Sequence, residues 1–323
     1  MIKLDKIKII SSINNITILN DDVFESKIKD GDIVERRYTM MSPYYLYVEA
    51  DYRERELVLE FTGKILKDDY PDLINKDNIH ICLKNINDLG LCTLNIDGIL
   101  QDGEVVKADI CQDVICLDCK ALTDSIRASI TNYKKYLVRN VSDNIIIEKN
   151  VQTNSYKRRL TIYDKEKELH KANNRNYLSS LSYPEVLLDY FKNRLRFELN
   201  LKCKEQLRQS LKISDTNINS VLNCTATPIF DFLDNVLVEA DGEIVCSDIG
   251  EFKDKLLLEY CDNDLVKVET LLRKFYSPTT HISQIMRRYR KLTAKLTECN
   301  SPSIKQQLRS LLLEVLIIFG ILI

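Results

Sequence analysis

The heptad Leu195-Arg196-Phe197-Glu198-Leu199-Asn200-Leu201 alternates apolar and polar residues without a break. Successive side chains of a strand point to opposite faces. Leu195, Phe197, Leu199 and Leu201 therefore share one face, and Arg196, Glu198 and Asn200 share the other. A helix would scatter them around its circumference. The pattern demands a half-buried strand, and such strands are mostly antiparallel. Leu57-Val58-Leu59-Glu60-Phe61 puts Leu57, Leu59 and Phe61 inward and Glu60 outward. Val114 to Cys119 reads as a strand with Ile115, Leu117 and Cys119 on one side and Asp118 and Cys116 on the other. Leu160 to Lys165 sets Leu160 and Ile162 against Thr161, Tyr163 and Lys165. In one sheet, these strands would present Glu60, Asp118, Tyr163, Lys165 and Glu198 on a single polar face.

That face suits phosphate chemistry. A phenol can act as a nucleophile, and an ammonium two residues away can stabilise phenolate and phosphate charge. Three neighbouring carboxylates repel unless a cation lies between them, and hard oxygen ligands favour Mg²⁺ or Mn²⁺. Glu60, Asp118 and Glu198 are the expected metal ligands, with Glu168 a further metal or supporting group. A solvated sheet face with scattered charges is the alternative.

Residues 1–125 read mainly as strands and loops, including "KIKIISSI", "YYLYVEA" and "IHICLKNI"; 122–138 has helical spacing. Strands return at "DNIIIEKN" and "RRLTIYDK", and Pro184 opens a short helix. Beyond about 205 the pattern is helical. The expected fold class is α+β: an antiparallel-sheet domain over 1–205 and a helical region over 206–323. At 323 residues the chain can fill one large or two modest domains.

The formal net charge of −2 hides an uneven distribution. Residues 155–202 hold eleven Lys/Arg against six Asp/Glu, and 261–323 hold ten against five, so each zone is +5 and the remainder −12. Two basic zones fit a local nucleic-acid groove. The turn at Ser277-Pro278 precedes a helix carrying Arg287, Arg288, Arg290 and Lys291, which can pair with phosphates; an ordinary solvated charged face is the other reading. The ten cysteines and the lack of a secretory signal point to free thiols in a reducing cytoplasm. Cys111, Cys116 and Cys119 have a C-x4-C-x2-C spacing, but no fourth ligand follows to complete an iron–sulfur site. The apolar C-terminus, interrupted by Glu314, is too short for a membrane span and reads as a buried helix. The three histidines form no His-hydrophobe-His pair, and His80-Ile81-Cys82 is the nearest approach. A phosphate-binding Gly-x-x-x-x-Gly-Lys loop is missing, which excludes an ATP-driven helicase of that type.

In type and order, "LVLEFTGK" from Leu57, "VICLDCK" around Asp118, "YDKEKEL" from Tyr163 and "LRFELNLK" from Leu195 resemble the filamentous-phage gene II replication initiators and related plasmid initiators. The resemblance spans roughly residues 40–205. Its pattern is Glu60 followed by Lys64, a strand with Asp118, then Tyr163, Lys165, Glu168 and Leu169, then Arg196-Phe197-Glu198. Cys116 stands where the family often has Arg. The resemblance implies a sheet-based rolling-circle nuclease fold. It also implies a site-specific single-strand endonuclease whose tyrosine becomes joined to a DNA 5′ end. Tyr163 takes the nucleophile's place, with Lys165 beside it, and Tyr156 is the runner-up. Lys64, Arg158, Arg159 and Arg196, with the basic C-terminal helix, are the expected DNA contacts. Origin DNA, duplex and single-stranded, is the expected partner, with a host helicase and polymerase, and no membrane. A non-catalytic copy-number regulator and a hydrolytic metal nuclease remain the rival readings.

Overall fold

The computed structural model describes residues 2–128, 130, 135–141, 144–151, 157–237, 247–277 and 281–300, without the side chains of 128 and 296–300. The described strands are β1 (Leu4–Ser12), β2 (Ile16–Ile18), β3 (Glu25–Lys29), β4 (Asp32–Met40), β5 (Leu46–Asp51), β6 (Glu56–Thr62), β7 (Cys92–Leu94), β8 (Glu104–Ile115), β9 (Tyr136–Val141), β10 (Asn144–Lys149), β11 (Arg159–Asp164) and β12 (Arg194–Leu201). Ten of them form one antiparallel sheet in the order β3-β4-β5-β6-β1-β8-β12-β11-β10-β9. Two meanders, β3 to β6 and β12 back to β9, flank the central pair β1 and β8.

The apolar face follows from the alternation. Ile7, Ile9, Leu57, Leu59, Phe61, Leu160, Ile162, Leu195 and Phe197 have no exposed surface. Helices α1 (Ile79–Asn87), α2 (Ile96–Asp102), α3 (Cys119–Ala128), α7 (Lys204–Leu211), α8 (Ile218–Leu222) and α9 (Pro228–Val236) add Ile99, Leu207, Val221 and Phe232 to the same core. Packing is close at Gly103, where a Cβ would stand 2.4 Å from the Ile99 carbonyl oxygen, 2.7 Å from Ile218 and 3.2 Å from Ile9. Between β11 and β12 lie α4 (Lys165–Leu169), α5 (Arg175–Ser179) and α6 (Pro184–Phe191). With the 3-10 stretch Gly63–Asp72, these cover one end of the polar face. Helices α10 (Ile249–Tyr260), α11 (Leu265–Phe275) and α12 (Ile282–Asn300) build a second cluster from Leu258, Val268, Met286, Tyr289 and Leu292. Core packing therefore changes hands between 237 and 258, whereas the local pattern turns helical at 205.

One expected strand is a helix and another is cut short. "IHICLKNI" is α1, with Cys82, Leu83 and Ile86 buried at helical spacing, so His80 and Cys82 do not form a ligand pair across a strand. The expected strand at Val114–Cys119 ends at Ile115. Ile115 is 58 % exposed and Leu117 97 % exposed, so the apparent inward face has no core to meet. Asp118 is instead the N-cap of α3, accepting from the Ala121 amide at 2.8 Å. The expected 122–138 helix is shorter: α3 stops at Ala128 and β9 starts at Tyr136. Tyr156, Pro278 and the apolar C-terminus from 301 lie outside the described residues.

Candidate active site

Strand register puts the polar residues of four adjacent strands in rows. Tyr163 pairs with Arg196, and Arg196 with Asp113. Glu198 pairs with Cys111, and Asn200 with Asp109, which in turn pairs with Lys6 of β1. Asp5 would point into the apolar core by strict alternation. The register shift between Leu4 and Lys6 turns it to the polar side instead.

Tyr163 donates its hydroxyl proton to Glu198 Oε2 at 2.8 Å. The tyrosine is 8 % exposed. Its phenol is held well above the usual range, first by burial and then by the Glu198 charge. Glu198 is raised to about 7, by burial and by the charges of Asp5 and Asp109, against the Tyr163 hydrogen bond and Lys165. Asp109 is raised too, chiefly by burial, although the Asn200 amide bonds it.

Beside this pair stands a second network. Lys165 is not on the strand: Asp164 caps α4, and Lys165 is its first residue. Its ammonium still reaches the Tyr163 ring, 5.7 Å from the centroid, and lies 5.3 Å from that of Tyr70. Lys165 is 2 % exposed and pairs with Glu168 Oε2 at 2.6 Å. Asn174 donates to Glu168 Oε1 at 3.0 Å and accepts from Lys64 at 2.6 Å. Burial would raise Glu168, but Lys165 and Lys64 hold it below the usual carboxylate range. Lys64 is lowered by burial and by the charge of Lys165.

Arg196 has no exposed surface. Its guanidinium grips Asp113 with two hydrogen bonds, 2.6 and 2.7 Å, and reaches Asp5 and the Tyr70 hydroxyl at 2.9 Å each. Tyr70 donates to Asp5 at 2.6 Å. Burial opposes a charged Asp5, but Arg196, Lys165 and the Tyr70 hydrogen bond hold it low. The expectation that Arg196 contacts DNA is corrected: it is a buried ion-pair centre.

The expected metal trio does not assemble. Glu60 shares the polar face but lies nearer the other edge, where Lys6 and Lys107 bind its Oε1 at 2.7 and 2.8 Å. Burial pushes Glu60 upward, and the two lysines overcome it. Asp118 is off the sheet. Among the described residues no group of three or more His, Cys, Asp or Glu side chains is placed to hold a metal ion. The carboxylates of Asp5, Asp109 and Glu198 feel one another, yet each is committed to a protein partner.

Of the basic residues, Arg158 donates to Gln209 at 2.6 Å, and Arg159 lies 4.0 Å from Glu148. Arg287, Arg290 and Lys291 are exposed on α12. Arg288 is tied to Asp254 at 2.6 Å, and Tyr289 is buried in the helical core. Cys116 and Cys119 touch, Sγ to Sγ 3.0 Å, while Cys111 is on the polar face of β8.

The strands that carry Asp109, Cys111, Asp113, Tyr163 and Glu198 fall inside one matched stretch. Residues 100–221 match the family model for the N-terminal part of the phage gene II replication-associated protein. Over this stretch the chain is similar to the filamentous-phage gene II replication-initiator family. The match contains β8, α4 to α7, β11 and β12, and stops before the three-helix cluster. Glu60 and Lys64, part of the motif pattern by resemblance, lie ahead of it. No curated protein and no solved structure matches the chain. Among the described residues no helix is long and apolar enough to cross a membrane.

Sequence reasoning missed Asp5, Tyr70, Asp109 and Asp113. Asp109 and Asp113 could have been found in Ala108-Asp109-Ile110-Cys111-Gln112-Asp113-Val114, where Ala108, Ile110 and Val114 alternate with the two aspartates although Gln112 interrupts the inward set. Asp5 and Tyr70 carried no signal, because a bulge and an irregular 3-10 stretch direct them.

Proposed function

We propose that the chain is a replication initiator that nicks one strand of origin DNA with Tyr163 and rejoins it later. The hydrogen bond from Tyr163 to Glu198 carries this reading. A base works best when its pKa lies near the operating pH, and Glu198 at about 7 meets that condition. Tyr163 Oη attacks the scissile phosphorus, its proton passes to Glu198, and the bond from phosphorus to the 3′ oxygen breaks, the departing oxygen taking up a proton from solvent. The products are a 5′ phosphotyrosine and a free 3′ hydroxyl that a host polymerase can extend. Because transesterification conserves the phosphoester bond, a 3′ hydroxyl can reverse it without ATP. The ammonium of Lys165 supplies positive charge beside the developing phenolate.

The buried Tyr163 admits a phosphate only when the layer over the polar face opens. That burial favours, as a second reading, an origin-binding regulator that never cuts. The divalent cation expected from the sequence lacks a three-carboxylate seat among the described residues, so no step is assigned to it. A supercoiled origin plasmid, incubated with and without Mg²⁺ or Mn²⁺ and run on a denaturing gel, tests the reading. Nicked DNA carrying protein supports it; binding without cleavage favours the regulator, and cleavage without attachment a hydrolytic nuclease.

A further inference from the structure

A cavity of about 320 Å³ lies at the far end of the second meander, lined by Lys135, Lys149, Arg158, Tyr136, Phe232 and Ser210 among others. Leu199 also lines it. Leu199 alternates with Glu198 and Asn200, so the cavity is on the helix-covered side of the sheet, away from Tyr163. Three cations converge there. Among the described residues neither Lys135 nor Lys149 has a carboxylate partner. The one acidic residue in the lining, Asp231, is bound by Lys212 at 2.8 Å. The cavity is thus biased toward an anion. Tyr136 and Phe232 form one wall, edge to face with centroids 5.2 Å apart. Ser210 is 5 % exposed, and its hydroxyl has no hydrogen-bond partner among the described residues. The Arg158 Nε is likewise buried and unpartnered. Such groups cost free energy until a ligand or a small rearrangement satisfies them.

We propose that this cavity binds one nucleotide of single-stranded DNA. Lys135, Lys149 and Arg158 take the phosphate, and the base edge rests against the Tyr136–Phe232 wall. The volume is at the lower end of small-ligand sites, which run from about 300 to 1,000 Å³. Single-strand sites combine a basic track with aromatic contacts in this way. Arg158 precedes β11, and Tyr163 is five residues on, about 16 Å at about 3.3 Å per residue. The cavity is therefore an anchor for the strand, separate from the chemistry. It rests on the initiator reading only for the identity of the strand.

Fluorescence anisotropy of a labelled twelve-residue oligothymidylate, without cleavage, tests the site. Lys149→Ala with Arg158→Ala should weaken binding about tenfold and flatten the salt dependence by up to about 0.7, the contribution of one single-strand phosphate contact. Lys135→Glu, at an exposed position, should weaken binding as well and guards against a folding defect in the double variant. Thymidine monophosphate is titrated in parallel. Weaker oligonucleotide binding in both variants supports the proposal, whether or not the mononucleotide binds. Unchanged affinity and slope overturn it, as does a cavity that takes the mononucleotide while strand binding stays intact. None of these readouts depends on nicking, so the anchor can fail while the Tyr163 reading survives, and the reverse.

Discussion

Tyr163 on β11 and Glu198 on β12 are joined diagonally across two antiparallel strands, the phenol donating to the carboxylate at 2.8 Å. The direct neighbours in register are Tyr163 with Arg196 and Thr161 with Glu198. Arg196 is drawn the other way by Asp113 and Asp5, which leaves the phenol to Glu198. Replacing Tyr163 by Phe should abolish covalent attachment to nicked DNA and leave duplex affinity within twofold. Loss of one hydrogen bond should cost about 1 kcal/mol in urea unfolding. A persisting adduct in Tyr163→Phe that disappears in Tyr156→Phe would move the nucleophile to Tyr156.

Glu198 should give stability a pH signature. Its folded value of about 7 exceeds the ordinary 4.5, so the folded protein keeps a proton that the unfolded chain has released. The stabilisation is complete below the unfolded value and is lost as pH rises through about 7. At about 1.4 kcal/mol per pKa unit the loss is on the order of 3 kcal/mol. Glu198→Gln should not show it. Urea unfolding at pH 5 and pH 8 should find the wild type losing that much relative to the variant; equal losses would mean that Glu198 is already ionised at pH 5.

Arg196 should matter for stability far more than for DNA affinity. Arg196→Met strands Asp113 and Asp5 without a cation, and breaking a buried pair in this way costs about 3–5 kcal/mol. Its single-strand affinity, measured where the variant is folded, should match the wild type within about twofold. A clear drop in affinity with unchanged stability would restore Arg196 to a DNA-contacting role.

Asp118 and Glu60 should behave differently from each other and from metal ligands. Asp118→Ala removes the cap of α3 and should cost about 1 kcal/mol with the metal dependence of nicking unchanged. Glu60→Gln leaves Lys6 and Lys107 facing each other across an uncharged amide and should lower stability more at low salt than at high salt. A shift in the Mn²⁺ concentration needed for half-maximal nicking in Asp118→Ala would contradict its placement off the sheet.

On α12, replacing Arg287, Arg290 and Lys291 together by Ala should flatten the salt dependence of duplex binding, by about 0.9 for every phosphate these side chains neutralise. Arg288→Ala should mainly loosen the three-helix cluster through Asp254. An unchanged slope in the triple variant would make this helix a solvated face.

Much of the sheet was legible because its evidence is local. The alternation of β12, β11 and β6 reports which side chains go inward, and Tyr163, Glu198 and Glu60 do share one face. The failures have a common physical origin. Alternation reports orientation within a strand and says nothing of where the strand stops, so "VICLDC" concealed a helix cap at Asp118. The same pattern cannot separate a short buried helix from a strand, as α1 shows. Nor does it give distance across the sheet, which sets Glu60 apart from Glu198. The partners of Arg196 come from β1, β8 and the Gly63–Asp72 stretch, and no window of sequence holds them together.

The strand order also dictates when the molecule can be finished during synthesis. β3 to β6 can zip up beside β1 as soon as residue 62 has emerged, and β8 can join at residue 115. One flank of β8 then waits for Arg194–Leu201 before it finds a neighbour. Throughout that interval the nascent chain offers a long open ladder with hydrophobic residues on one side, a shape that recruits other nascent chains. Fragments ending between residues 115 and 201 should therefore precipitate, while those that include β12 and the helices to 237 should stay in solution.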